Sequence, residues 1–193
     1  MARAYTLRRR AEQQAETRQR IVAAAVELHT EIGPAQTTIS LLAARAGVQR
    51  HTVYAHFPEE RSLLQACSAL ALERDPFPEA AAWMGIAEGE ERLRKGVSAL
   101  YSWFERNADL TAKILRDAEL HPPTAEIVTL RFAEPLAALA EELSRGIGAN
   151  VRQRAAVRLA LSFFTWRDLV RGSGLSVDEA VDLVVRAVRC AVD

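Results

Sequence analysis

No run of about 18 apolar residues occurs in the sequence, so no segment is expected to cross a membrane as a helix, and no membrane partner is expected. Alternating runs of β-branched residues are also missing, which removes the signature of half-buried strands. Cysteine is scarce. Cys67 and Cys190 stand far apart without metal-ligand spacing, and His51 and His56 fall on different faces of one helix, so no metal site is expected. HExxH, GxSxG, P-loop and Rossmann glycine patterns are all absent, and Gly172-Ser173-Gly174 reads as a loop, so neither catalysis nor a cofactor is expected. The first twenty residues carry Arg3, Arg8, Arg9, Arg10, Arg18 and Arg20 but no apolar stretch, which argues against a secretory signal and for the cytoplasm. Internal repeats and low-complexity tracts are not evident.

Charge of one sign is lacking too, since 25 basic and 25 acidic residues cancel. The cancellation hides an asymmetry. Residues 1–57 hold eight arginines against Glu12, Glu16, Glu27 and Glu31, a net +4, and the remainder carries −4. A basic N-terminal segment on an acidic body turns that segment toward polyphosphate.

What the sequence does have is apolar residues spaced three and four apart from residue 21 onward, which predicts an all-α protein of about nine helices. Ile21, Ala25, Leu28 and Ile32 form one stripe, stopped by Gly33-Pro34. Thr37-Thr38 offers a hydroxyl cap for a short helix ending at Gly47. A third helix, from about Gln49 to His56, buries Val53 and Phe57 before Pro58. A fourth, about 60–73, carries Leu63, Leu64 and Leu70. The expected division is an N-terminal arm and head in residues 1–60 and a helical body in 61–193.

Two short helices joined at Gly47-Val48, the second with polar residues outside and apolar ones inside, form a helix-turn-helix. The first turn of its second helix faces base edges, so Gln49, Arg50 and His51 are the candidate base readers; Arg matches guanine and Gln adenine through paired hydrogen bonds. Thr37, Thr38, Thr52, Tyr54 and His56 are candidates for phosphate contacts, which fix register and carry no sequence information. The Arg-rich start is read either as a solvated tail or as a minor-groove arm.

The stretch Thr37-Thr38, Leu42-Ala43, Ala46-Gly47-Val48, Thr52-Val53-Tyr54, His56-Phe57 and Leu63-Leu64 resembles the TetR (tetracycline-repressor-like) family of transcriptional regulators, over roughly residues 15–65. The resemblance implies a sequence-specific regulator, most simply a homodimeric repressor released from a palindromic DNA operator by a small-molecule effector. Gln49 stands where the family usually has Ser, and Glu60 where it has Lys; Gln caps a helix poorly and Glu cannot donate to a phosphate, which leaves Arg61 as a substitute donor. The other interpretation is a dimeric helical ligand-binding or interaction protein whose head is impaired.

The resemblance also implies an effector pocket and a dimer interface in the body. Tyr101, Trp103, Phe104, Phe132, Phe163 and Trp166, with His121 at a Pro-rich turn, are the candidate pocket residues, beside a kink expected at Pro135. For dimerisation, Val157, Leu161 and Phe164 form a second apolar stripe on the penultimate helix, and Val177, Val181, Val184 and Val188 lie on the last, suiting a four-helix interface. Asn150 is expected to cap the penultimate helix, and Ser176 with Glu179 to form a capping box on the last.

Overall fold

The computed structural model describes residues 2–192, with side chains from Arg8 to Val192. Among them every regular element is helical, in ten α-helical segments: α1 Ala2–Glu31, α2 Ile39–Ala46, α3 Arg50–His56, α4 Glu60–Arg74, α5 Gly89–Ala118, α6 Pro122–Val128, α7 Glu134–Gly146, α8 Val151–Ala160, α9 Phe163–Trp166 and α10 Val177–Cys190. Packing gathers them into two compact units. One combines the chain up to Asp75 with Ala112–Val128, and the other combines Pro76–Thr111 with the chain from Thr129 onward.

In the N-terminal unit the predicted stripe is the core. Ile21, Ala25 and Leu28 of α1 meet Leu42, Ala43 and Ala46 of α2, Val53 and Phe57 around α3, and Leu63, Leu64 and Cys67 of α4. Because α4 buries three residues here and packs against both α1 and α6, packing does not divide the chain at residue 60; all of α4 and residues 112–128 belong with the head. A further difference concerns the start of the chain. The Arg-rich stretch drawn as a tail is helix, continuous with α1 from Ala2, and Arg8 pairs with Glu12 at 3.0 Å one turn away. Arg3 lies outside the residues whose side chains are described.

The C-terminal unit is built on aromatic rings. Phe104 contacts Tyr101, Trp103, Phe132, Phe163 and Trp166, with centroids 5.4 to 6.3 Å apart, edge-on or tilted as ring quadrupoles prefer. Both predicted caps are present: Asn150 with Gln153, and Ser176 with Glu179, each form a reciprocal capping box. The break expected at Pro135 falls just before it, as a π-helical stretch over Thr129–Ala133, leaving Pro135 in the first turn of α7, where its missing N–H costs nothing.

The penultimate helix is not continuous. α8 ends at Ala160, and Ser162 caps a new helix by accepting from the Phe164 N–H, which shifts the phase of the apolar stripe. Val157 and Leu161, ahead of the break, are buried within the unit. Val181, Val184 and Val188 are likewise buried, on the face of α10 that α8 packs against, and Val177 is half-buried. Those five buried residues hold the single chain together and offer no surface to a second one, which corrects their assignment to a dimer face. The large apolar residues left exposed are Leu159 (65%), Phe164 (46%) and Leu183 (48%).

Candidate nucleic-acid interface

The turn between α2 and α3 has the chemistry that the sequence demands. Thr38 Oγ1 accepts from the Leu41 N–H at 3.2 Å and starts α2. Gly47 ends it in the left-handed region, at φ 64°, where any side chain would be strained. Val48 then donates its N–H to Ala43 O at 3.0 Å and packs partly buried against the core, which fixes the angle at which α3 leaves. Gln49 sits at the start of α3 and makes no side-chain cap.

α3 is held by its inner face. Val53 and Phe57 are buried, and the Arg18 guanidinium lies 4.7 Å from the centre of the Phe57 ring. Its outer face is open: Gln49, Arg50 and His51 are exposed, Tyr54 is 49% exposed, and Thr52 and His56 are half-buried. The three candidate base readers thus lie together at one end of the helix. Thr37 is partly committed to the fold, donating its hydroxyl to Gly33 O at 2.8 Å, and Thr38 is committed as the cap just described.

Charge is sorted in the same region. Arg45 is bound by Glu31 through two hydrogen bonds of 2.7 and 2.8 Å, with Glu27 at 3.4 Å. The guanidinium holds the Glu31 carboxyl below its usual range. Arg45 is therefore spent within the head, whereas Arg9, Arg10, Arg20 and Arg50 are exposed and outside any ion pair among the described residues. Spacing alone gave no sign of the Arg45–Glu31 pair or the Arg18–Phe57 stack, because each joins different helices.

Glu60 and Arg61 both turn to neighbouring helical segments. Glu60 lies 3.5 Å from His121 Nε2, and Arg61 lies 3.0 Å from Glu126 on α6. His121, whose Nδ1 is 2.8 Å from Thr124 Oγ1, belongs to the N-terminal unit. The other six pocket candidates are fully or almost fully buried in the C-terminal unit. Tyr101 donates to Ala160 O at 2.9 Å, and burial pushes its hydroxyl above the normal tyrosine range. The Trp166 indole N–H and the Thr111 hydroxyl have no hydrogen-bond partner among the described residues.

The comparisons with known proteins bear on the head first. Residues 21–67 match the family model described as bacterial regulatory proteins, tetR family. No curated protein matches the chain. Among solved structures, the TetR family transcriptional regulator PfmR from Thermus thermophilus is 24% identical, with a TM-score of 0.62 over 86% of this chain and 97% of its own. A tetR-family regulator from Streptomyces coelicolor is 19% identical, with a TM-score of 0.61 over 90% of this chain and 81% of its own. GusR from Salmonella enterica is 20% identical, with a TM-score of 0.60 over 91% and 95%. These likenesses speak to the fold. Residues 21–67 thus carry the head that the tetR family model describes, and the chain as a whole shares the all-α fold of such regulators.

Proposed function

We propose that this chain is a TetR-family transcriptional regulator, a homodimeric repressor that occupies a palindromic operator and leaves it when a small molecule binds its body. The observation that carries the proposal is the exposed cluster of Gln49, Arg50 and His51 at the start of a helix whose opposite face is anchored by Val53 and Phe57. In this reading those three side chains meet base edges, while Thr37, Thr38, Thr52, Tyr54 and His56 line the phosphates. Residues 1–60 supply the DNA contacts, residues 61–193 bind effector and partner, and the protein works in the cytoplasm without catalysis. Two heads on one duplex would sit about 34–36 Å apart, one helical turn.

The partner face is assigned to Leu159, Phe164 and Leu183, which are large, apolar and exposed, with α8 and α10 packed on each other. Effector binding is assigned to the aromatic cluster of the C-terminal unit. A fully buried indole N–H without an acceptor is rare, and the one on Trp166 favours a mostly apolar ligand bearing a carbonyl or carboxylate oxygen. Such a ligand acts only if it prefers the conformation that cannot hold both half-sites.

The decisive experiment selects duplexes from a random pool with the purified protein and weighs the complex by light scattering. Palindromic sequences bound by two chains are expected. Equal retention of all duplexes would sink the repressor reading and favour a ligand-binding or interaction protein with an impaired head, a second reading motivated by the missing Gln49 cap.

A further inference from the structure

We infer that Arg116 and Asp117, at the end of α5, are positioning residues for DNA binding, gripping the turn from which the helix-turn-helix starts. A helix leaves carbonyls unpaired at its end, and the next helical turn starts with unpaired N–H groups. Between α1 and α2 one dipeptide from more than 80 residues away serves both. Arg116 Nη2 donates to Ile32 O at 2.9 Å, just past the end of α1, and Asp117 Oδ2 accepts from the Ala35 N–H at 2.9 Å, in the turn at Pro34–Gln36. The Asp117 carboxylate is buried and balanced by Arg116, whose Nε and Nη2 lie 2.7 and 2.6 Å from Oδ1.

The turn is shaped to receive the pair. Gly33 has φ 98°, and a Cβ there would overlap both Asp117 Oδ2 and Arg116 Nη2, so the position admits glycine for two independent reasons. From the turn the order passes along the chain. Thr37 donates to Gly33 O, Thr38 caps α2, and Gly47 hands α2 on to α3. Asp117 is buried and has no donor to offer a phosphate, so its effect on DNA runs through the turn. α5 is kinked at Asn107, where the backbone is non-helical and two helical stretches meet, and the two packing units divide the second stretch between Thr111 and Ala112.

The inference rests on the DNA-binding reading, so the test uses the full chain, with an operator selected by the parent protein and a random duplex beside it. Asp117→Asn keeps the shape and removes the charge, and Arg116→Gln, at a half-exposed side chain, keeps the fold safe. Each is expected to weaken operator binding about tenfold, from the loss of a charge-assisted contact. Random-duplex binding should fall less, so the specificity ratio drops. Stoichiometric titration should give a full active fraction, and the salt slope should stay unchanged because the phosphate-contacting residues remain. In a cycle with Ala35→Pro, which deletes the N–H, the double variant with Asp117→Asn should bind no more weakly than the worse single variant. Variants that match the parent on both duplexes, or whose losses track a reduced active fraction, would overturn the inference. A parent that binds no duplex at all would overturn the DNA reading itself, a different result.

Discussion

The two compact units solve the same problem, burying helices against one another, with different materials. The N-terminal unit uses alanine, leucine, valine and isoleucine, with Phe57 as the one aromatic ring of its buried core among the described residues. Small side chains let short helices approach closely, and caps and left-handed glycines set the angles between them. The C-terminal unit interlocks Trp and Phe rings and contains π-helical stretches at Thr129–Ala133 and Arg167–Gly172. Wide turns of this kind are uncommon and recur at functional sites. Under the proposed function, the contrast fits a head that holds one shape for DNA and a body that answers to a ligand.

The largest way to sharpen this contrast is Phe104→Ala, which removes a ring in contact with five others and should destabilise the C-terminal unit by about 3–5 kcal/mol in denaturant unfolding. The head should keep its helical signature to higher denaturant than the body. Simultaneous loss of both would mean that the units do not unfold separately.

Acid should act on the head. Burial lowers the His29 pKa to about 4, between Cys67, whose sulfur is 3.6 Å from Nδ1, and the negative charge of Asp117. His29 is therefore neutral in the fold, while the unfolded chain titrates near 6.5. The stabilisation is full above about pH 6.5 and disappears as pH falls toward 4, by about 3 kcal/mol in all. His29→Leu should flatten that part of the pH–stability curve; an unchanged slope would place the acid sensitivity elsewhere.

Arg50→Ala should cost about 1–3 kcal/mol of discrimination between the selected operator and its single-base variants, measured by competition. Operator binding as tight and as selective as the parent's would remove Arg50 from the base readers. Smallest is Tyr54→Phe, about 1 kcal/mol or less, uniform across duplexes, as befits a hydroxyl on a phosphate. A sequence-dependent loss would make Tyr54 a reader of bases instead.

Legibility differs between the units for a physical reason. The head announces its turns with residues that have few other uses there: Thr38 as cap, Gly47 where φ is positive, Pro58 after Phe57. The body breaks its helices with ordinary ones. Ser162 reads as one polar residue in an apolar helix, and the break it makes separates exposed Phe164 from Val157 and Leu161, which lie in the core. The capping boxes at Asn150 and Ser176 are readable because both halves lie within four residues. Asp117 is not readable at all. Its partner, the Ala35 N–H, carries no side-chain signal and lies 82 residues away.

The helical form of the Arg8–Arg10 stretch bears on how affinity and selectivity can be tuned in this molecule. An α-helix with side chains is roughly 10–12 Å thick, and the minor groove is only about 6 Å wide, so this part of α1 cannot slide in and sense groove width as an extended strand would. In the proposed reading, the attraction these arginines bring to DNA comes mainly through phosphate oxygens, the same on every sequence. Substitutions there would, in that same reading, turn grip up or down with salt, while α3 decides where the grip is applied.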